Sequence, residues 1–415
     1  MIRILDHRAA AELQTCRTAR LREAERVVAP ILDAVRTRGD AALLEYCRKL
    51  DGFDGSTVAV GPEVCASALA ELDKGFISAV KLAAGNIRDF ALTQLPEERF
   101  VEYPDGRRLG RIVRPLDSTG AYIPGGRYPL PSTLLMTVIP AQAAGVKTIA
   151  VACPRCSAEI LAVAAYLRVP RLFRMGGAHA IAALAYGTET VPRVERIVGP
   201  GNIYVAAAKK MIAGETGIDF IAGPTEIVII AGEGNPVHLA ADMLAQAEHD
   251  VDASAILLTT SRRLAEAVAV EIERQLANLP TAAVAGESIA RNGAILLFEK
   301  LERAVGFANE LAPEHLALHD ASLLPAIRNA GSVFLGPHSP EAAGDYASGP
   351  NHVLPTSGAA RLRGGLSAAD FVKVISVQQL SADSLARLAP AITTLARAEG
   401  LEAHARSVEA RVAPA

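Results

Sequence analysis

The stretch EIVIIAGEGNPVHLAADMLAQAEHD, residues 226–250, combines two periodicities that decide the fold class. Its first part, EIVIIA (226–231), is a short apolar run typical of a buried strand. In NPVHLAADMLAQA (235–247), apolar residues recur every three or four positions, which predicts an amphipathic helix. A strand followed by a helix is the repeating unit of parallel sheets covered by helices.

The same alternation continues on both sides of this stretch, from about residue 110 onward. Further candidate strands are RIVRPL (111–116), KTIAVAC (147–153), RLFRMGG (171–177), ERIVGP (195–200), SAILLTT (254–260), GAILLF (293–298) and GSVFLG (331–336). These are more strands than one doubly wound sheet normally carries. We therefore predict an α/β fold with two Rossmann-like, incomplete doubly wound domains and small helical N- and C-terminal domains.

In the predicted domain organisation, the chain leaves the first large domain, forms the second, and then returns to the first. The domains are a helical segment (1–17), a first large α/β domain in two pieces (18–121 and 225–366), a second large α/β domain (122–224) and a C-terminal helical domain (367–415). The last of these contains two helix-like runs.

Composition excludes several classes of protein. The 415 residues are 50% hydrophobic and carry a net charge of −3. Lys and Arg are scattered along the sequence, so no basic patch indicates binding to nucleic acid or to an anionic membrane. We find neither a signal-peptide pattern nor about 20 consecutive apolar residues, and expect a cytoplasmic protein. The five cysteines are too sparse for a disulfide-stapled domain. One C-x-x-C, CPRC (153–156), could be redox-active or half of a zinc site.

Polar residues share one side of the predicted helix quoted above. Asp242, Gln246 and His249 are spaced i, i+4 and i+7, so they lie on one face. A single histidine on a helix is usually structural, but the Gln246 amide oxygen can bind a ligand from the same side.

A second candidate is the loop GDYASGPNHVLPT (344–356), which holds Asp345 and His352. A carboxylate and an imidazole in one rigid loop suit substrate or metal binding, whereas the alternative is that Asp345 only caps a turn.

The third candidate is the adjacent pair Glu314 and His315 in APEHL (312–316). In a regular strand they would point to opposite faces, but at a strand entrance both can converge on one cleft. Histidine is a natural proton acceptor near neutral pH, and a carboxylate beside it can activate water. A solvated pair at a helix cap is the alternative.

Near the C-terminus, EGLEAHARSV contains Glu399 and His404, which alone indicate nothing more than a terminal helix. A set of donors from Gln246, His249, Asp345 and His404 would contain only nitrogen and oxygen, a combination that zinc accepts.

The sequence contains no G-x-G-x-x-G motif for binding a nucleotide. The nearest segments are MGGAHA (175–180) and VGPGNIYV (198–205), each following a candidate strand, with tight turns as the alternative.

Taken in order, seven segments resemble histidinol dehydrogenase, the zinc- and NAD-dependent enzyme family that ends histidine biosynthesis. They are YIPGG, GPGNIYVAAAK, AGPTEIVIIA, AQAEHD, PEHL, SVFLG and GDYASGPNHVLPT. The similarity covers roughly residues 20–410. Two segments differ from the family pattern, which reads G-P-S-E where this chain has GPTE and G-G-A-Q where it has GGAH.

The resemblance implies a role for each candidate residue. It assigns one zinc ion per subunit to Gln246, His249, Asp345 and His404, with His404 donated by the partner subunit of a homodimer through an exchanged C-terminal domain. The implied catalytic residues are Glu314 and His315. The implied substrate contacts are Thr225, Gln246, His249, His315, Asp345, His352, Glu399 and His404. The implied NAD contacts are Tyr122, His179 and Asn202.

The implied reaction is the four-electron oxidation of L-histidinol to L-histidine through the aldehyde, with two NAD molecules used in turn. His315 would act as base in both hydride transfers, and Glu314 would activate water between them. One rival function is a related NAD-dependent dehydrogenase of another small alcohol, such as a sulfonated diol. A zinc hydrolase and a non-catalytic binding protein are the other rivals.

Overall fold

The computed structural model describes residues 2–6, 18–126 and 128–412, so most of the predicted segment 1–17 lies outside the described residues. The chain divides into two compact units. The first joins Met1–Gln94 with Asp117–Phe371, and the second joins Leu95–Leu116 with Val372–Ala415. No described helix is long and apolar enough to cross a membrane.

Strands and helices alternate along most of the described chain. The strands are β1 (Arg3–Asp6), β2 (Ala59–Val60), β3 (Arg99–Glu102), β4 (Arg107–Pro115), β5 (Ser118–Tyr122), β6 (Thr148–Ala152), β7 (Arg171–Phe173), β8 (Arg196–Val198), β9 (Gly217–Ile218), β10 (Glu226–Ile230), β11 (Ser254–Thr259), β12 (Ala294–Leu297), β13 (His315–Leu318), β14 (Ser332–Leu335) and β15 (Val372–Leu380). The α-helices are α1 (Thr18–Arg38), α2 (Asp40–Tyr46), α3 (Pro62–Glu71), α4 (Lys74–Thr93), α5 (Pro131–Ala143), α6 (Ala158–Tyr166), α7 (Gly177–Tyr186), α8 (Ile203–Ile212), α9 (Pro236–Ala247), α10 (Arg262–Leu276), α11 (Ala282–Asn292), α12 (Leu301–Leu311), α13 (Glu341–Tyr346), α14 (Ala382–Ala398) and α15 (Glu402–Val412). A π-helical turn, Cys47–Asp51, continues α2. The predicted α/β fold is confirmed.

The first six-stranded sheet is parallel throughout, in the order β1-β12-β11-β10-β13-β14. Because side chains alternate along a strand, the two faces of β10 enter different cores. Ile227 and Ile229 pack with residues of α9, α10 and α11. Val228 and Ile230 pack with residues of α12. Burial on both faces explains why this strand is a continuous apolar run.

The second six-stranded sheet has the order β2-β7-β6-β5-β8-β9 and is parallel except for β2. The chain moves outward from β5 to β6 and β7 on one side, and then to β8 and β9 on the other. The strand order therefore reverses between β5 and β8. Ligands of open α/β sheets bind at the carboxyl ends of the strands at such a reversal.

The second compact unit contains a three-stranded antiparallel sheet, β15-β4-β3. Helices α14 and α15 follow β15 in the chain and pack against each other.

Four features differ from the predicted domain organisation. Residues 3–6, expected in a helical segment, form a strand that pairs with β12 and extends the first sheet. The prediction missed this strand because four residues are too few to show a periodicity. Residues 118–121, expected in the first large domain, form the centre of the second sheet. Helix α1, also expected in the first large domain, packs its apolar residues into the core of that second sheet.

The fourth difference concerns the C-terminal region. The predicted helical domain 367–415 begins with the nine-residue strand β15, and this strand pairs with β4 along its whole length. Residues 95–116, expected in the first large domain, belong for that reason to the same compact unit as the C-terminal helices. Exchange of this region between subunits stays a prediction.

Candidate active site

Two neighbouring strands bring the predicted catalytic pair next to Thr225. β10 and β13 are parallel neighbours, with Ile227 opposite His315, so Thr225 and Glu314 lie side by side just before their strands begin. The Thr225 hydroxyl is 2.6 Å from Oε2 of Glu314, and the Glu226 amide donates to the same oxygen at 2.9 Å. This is the strand-entrance geometry in which both side chains can converge.

Glu314 is a buried carboxyl group whose environment favours the neutral form. Burial raises its pKa to about 7, against the opposing effects of His315 and of the two hydrogen bonds from Thr225 and Glu226. A carboxyl group with a pKa near neutrality can both accept and release a proton, as a group that activates water must.

His315 is almost fully buried and is oriented by a backbone carbonyl. Its Nδ1 lies 3.2 Å from the Glu226 carbonyl oxygen, which can only accept, so Nδ1 carries the proton. Its Nε2 has no hydrogen-bond partner among the described residues and lies 3.7 Å from Oδ1 of Asp345. Burial alone would lower the pKa of His315, but the carboxylates of Glu341, Glu314 and Asp345 raise it to about 10.

Helix α9 carries Gln246 and His249 back to the same edge of the sheet. It follows β10 and runs in the opposite direction, so its last turn returns to the start of β10. The Gln246 amide is fully buried, 2.7 Å from the Thr225 hydroxyl. Nε2 of His249 is 3.9 Å from Oδ2 of Asp345, which comes from α13.

Glu341 is a member of this cluster that the sequence analysis missed. One ligand atom each from His249, Glu341 and Asp345 lies within 4.8 Å of the other two. When the Gln246 side-chain amide is oriented with its nitrogen towards Glu341, this nitrogen lies 2.6 Å from a carboxylate oxygen of Glu341. Glu341 precedes Asp345 by four residues on α13, the spacing that places two side chains on one helix face, and this was the available signal.

The two carboxylates of α13 have opposite pKa shifts. Burial raises the pKa of Glu341 to about 8. Burial also acts to raise the pKa of Asp345, but the imidazoles of His315, His352 and His249 hold it below its usual value. Two acidic groups in one buried cluster, one of them retaining a proton at neutral pH, form a site that favours a cation.

His352 is held rigidly at the edge of this cluster. Its Nδ1 is 2.8 Å from the carbonyl oxygen of Asp345, and its Nε2 is 3.2 Å from the hydroxyl of Thr133 on α5. Burial lowers its pKa, which favours the neutral imidazole.

Glu399 and His404 belong to the second compact unit. Glu399 caps the C-terminus of α14, His404 lies in the first turn of α15, and both are exposed. Their predicted roles in binding substrate and zinc stay predictions.

The three predicted NAD contacts line one cleft within the first unit. The cleft has a volume of about 1760 Å³, and Tyr122, His179, Asn202, Thr225 and Glu226 are among its lining residues. Tyr122 ends β5 at the strand-order reversal, and its hydroxyl accepts a hydrogen bond from the Gly177 amide at 3.0 Å. The cleft therefore lies where the topology of the second sheet places a ligand.

Two helices begin at this cleft. Gly177 and Ala178 start α7, and Asn202 caps α8 by accepting hydrogen bonds from the amides of Tyr204 and Val205, both at 3.1 Å. Helix N-termini favour anions such as the phosphates of a nucleotide.

A glycine is required where β8 meets α8. Gly199 has a φ of 115°, and a Cβ on it would lie 2.2 Å from the carbonyl oxygen of Tyr122. The close approach of the two chain segments next to the cleft therefore depends on glycine at this position.

Comparisons with known proteins place the chain in one family. The family model described as histidinol dehydrogenase matches residues 15–412. The chain belongs to the histidinol dehydrogenase family. It is 49% identical over 402 residues to the histidinol dehydrogenase of Geobacter sulfurreducens, covering 94% of each chain. It is 48% identical over 397 residues to that of Halalkalibacterium halodurans, again with 94% of each chain covered.

A solved structure shows the same fold. The crystal structure of histidinol dehydrogenase from Elizabethkingia anophelis aligns with a TM-score of 0.90 and 37% identity, covering 93% of this chain and 92% of that one. Membership in the histidinol dehydrogenase family confirms the predicted resemblance and the predicted enzyme class, an oxidoreductase.

The residues present fit both groups that the histidinol dehydrogenase family implies. The cluster around Asp345 offers only nitrogen and oxygen donors, which zinc accepts at catalytic sites. The ligand atoms also lie close enough together to surround one ion. The cleft at the strand-order reversal has the size and the two helix N-termini that a dinucleotide requires.

Proposed function

We propose that the chain oxidises L-histidinol to L-histidine through the aldehyde, using two NAD molecules in turn, as the last step of histidine biosynthesis. The observation that carries the proposal is the buried pair Glu314 and His315 beside the donor cluster of Gln246, His249 and Asp345. We further propose a cytoplasmic homodimer in which the partner subunit supplies His404 as the fourth zinc ligand.

In this proposal His315 takes the substrate's proton in both oxidation steps. Its Nδ1–H is directed to the Glu226 carbonyl, so Nε2 in the neutral ring has the free lone pair that accepts a proton. The cluster's carboxylates raise the pKa of His315. Zinc, when bound, offsets their charge and polarises the substrate's oxygen and nitrogen atoms.

Glu314 is proposed to activate water between the two oxidation steps. Its Oε2 is anchored by Thr225 and Glu226, and burial brings its pKa to about 7, so the carboxylate can take a proton from water as the water adds to the aldehyde. Thr225 and Glu226 also line the cleft, which links this proton-transfer pair to the proposed NAD site.

Binding of NAD and substrate completes the proposal. Tyr122, His179 and Asn202 are proposed to contact NAD, which accepts a hydride in each oxidation step. Thr225, His352 and Glu399 are proposed to hold the substrate along with the zinc ligands. The rigid placement of His352 between Asp345 and Thr133 suits recognition of a polar substrate group.

The test is an NAD-linked assay with L-histidinol before and after chelation of the metal. We expect two NADH per histidinol consumed, loss of activity on chelation, and recovery when zinc is restored. Equal or faster oxidation of other small alcohols would favour a related dehydrogenase. Consumption of substrate without any NADH would contradict the proposal.

A further inference from the structure

A second group of metal-binding side chains lies apart from the cluster around Asp345. Cys47 and Asp51 begin and end the π-helical turn that continues α2, and His179 lies in the first turn of α7. One ligand atom from each of these three residues lies within 4.8 Å of the other two. Among the described residues, only this group and the cluster of His249, Glu341 and Asp345 have this geometry.

The three side chains are buried, and their hydrogen bonding is incomplete. Cys47 and His179 are fully buried, and the Asp51 side chain is 11% exposed. Nε2 of His179 is 2.9 Å from Oδ2 of Asp51, while its Nδ1 is buried without a hydrogen-bond partner among the described residues. The ring nitrogen that faces Asp51 is Nε2, so Nε2 is the atom that would bind an ion shared with this carboxylate, and Nδ1 points away from it.

We propose that Cys47, Asp51 and His179 bind a second divalent ion of the zinc type. Sulfur, nitrogen and carboxylate oxygen together form a donor set that zinc accepts, whereas magnesium and calcium select oxygen alone. Zinc bonds of about 2.0–2.3 Å place ligand atoms about 3.3–3.7 Å apart, so the observed spacing, 4.8 Å at most, needs to contract by no more than about 1.5 Å.

Charge balance supports an ion at this position. Cys47 is fully buried beside the Asp51 carboxylate, surroundings that favour a neutral thiol when no cation is present. A divalent cation displaces the thiol proton to solvent, and the resulting thiolate and carboxylate balance its two charges. The occupied site is then neutral, which reduces the cost of burying it.

The surroundings orient the carboxylate and leave room for a fourth ligand. Among the described residues, the hydrogen bonds of the Asp51 carboxylate, from the Gly176 amide and from His179, both fall on Oδ2. Oδ1 is therefore available to the ion while Oδ2 stays anchored to the Gly176 amide, an arrangement common around protein metals. Asp51 and His179 line the cleft, from which water can complete a tetrahedral site.

Cobalt substitution separates this site from the proposed catalytic one, and the inference does not rest on the proposed function. The catalytic donor set has no sulfur, so a sulfur-to-cobalt charge-transfer band in the near ultraviolet can come only from a thiolate site. We expect the cobalt-loaded full chain to show this band. The band should disappear in Cys47→Ser and persist in His249→Asn and in Cys156→Ser, a buried cysteine outside the group.

If Cys47→Ser does not fold, a second variant and the measured number of metal ions per chain still test the proposal. His179→Gln introduces the residue of the family pattern, and we expect it to weaken cobalt binding at the thiolate site by about tenfold or more. Zinc analysis should give two ions per chain in the wild type and one in either variant. The proposal is overturned by the absence of the band in the wild type, by its persistence in Cys47→Ser, or by an unchanged cobalt titration in His179→Gln.

Discussion

His315 is placed to be a base by the atoms at its two ring nitrogens. Nδ1 faces a carbonyl oxygen, and Nε2 lies beside Asp345 without a hydrogen bond among the described residues. The adjacent Glu314 is held by Thr225 and Glu226, so the two groups can act in different steps without exchanging places.

Replacing this imidazole tests its role as the general base. We expect His315→Asn to lower kcat by about 10²–10⁴ while zinc content stays at the wild-type level, because a general base contributes that much and His315 is not a proposed ligand. Steady-state assays and metal analysis provide the measurements. His338→Asn, at an exposed histidine, is the control and should leave kcat unchanged. Loss of zinc in His315→Asn would instead assign the residue to the metal.

The buried acidic cluster predicts how the stability of the metal-free protein depends on pH. The folded pKa values are raised for Glu314 to about 7, for Glu341 to about 8 and for His315 to about 10. Burial lowers the pKa of His352, and this opposes the effect of the other three groups only below about pH 7. From about pH 7 to 10 the folded site therefore binds more protons than the unfolded chain, and we expect stability to fall as pH rises through that window. Urea unfolding of the metal-free chain at a series of pH values measures this.

A variant isolates one part of this dependence. Glu341→Gln removes a carboxylate that keeps its proton in the folded state, and it should flatten the decline below pH about 8. Stability of the metal-free wild type that rises from about pH 7 to 10 would contradict the protonation states inferred for the site.

At the level of elements, the turn between β8 and α8 determines the shape of the cleft. We expect Gly199→Ala to lower the free energy of unfolding by about 1–3 kcal/mol, because a side chain there combines an unfavourable φ with a clash against the Tyr122 carbonyl. It should also raise KM for NAD more than it lowers kcat. Chemical denaturation and NAD titrations measure both effects.

Gly126→Ala is the matched control for this substitution. Gly126 lines the same cleft, but a Cβ there meets no atom of the described residues within 4 Å, and its φ is not in the strained region. Near-equal effects of the two substitutions would show that Gly199 has no special role.

Several of the strands that the sequence predicted are buried on both faces. β6, β10, β11 and β12 are continuous apolar runs, and such runs can be recognised without tertiary information. β5 was missed because STGAY is small and polar, although neighbouring strands bury most of it. β15 was missed because its residues were grouped with the terminal helices, although VKVISVQQL partly alternates apolar and polar residues.

Most residues of the site, but not all, could be identified from the sequence. Short, ordered motifs identified Gln246, His249, Glu314, His315 and Asp345, and the fold brings these five residues together. The sequence analysis identified neither Glu341 nor Asp51. The four-residue spacing from Asp345 was a local signal for Glu341, but the importance of both residues depends on which side chains of distant elements lie opposite them. Burial raises the pKa of Glu341, and no local pattern contains that information.

At the scale of the first compact unit, the two large sheets contribute different ends to one cleft. The first sheet contributes the residues at the starts of β10 and β13, and the second contributes the carboxyl ends of β5 and β8. The proposed proton-transfer groups lie at the start of β13, and the proposed metal ligands Gln246, His249 and Asp345 lie at the end of α9 and on α13. The proposed NAD contacts lie along the second sheet's part of the cleft. We propose that oxidation takes place where these two sets of residues meet.

We propose that one active site uses residues of two subunits, with His404 supplied by the partner. Intersubunit complementation between His249→Asn and His404→Asn tests this arrangement. Each variant alone should lack zinc at the catalytic site and be inactive. In a mixed dimer, one site carries both substitutions and the other carries neither.

The decisive measurement is the rate of NADH formation from L-histidinol after the two variants are co-expressed and mixed dimers are verified. We expect about a quarter of the wild-type rate, since half of randomly paired dimers are mixed and each has one intact site. Mixed dimers that form but remain inactive would contradict a site shared between subunits.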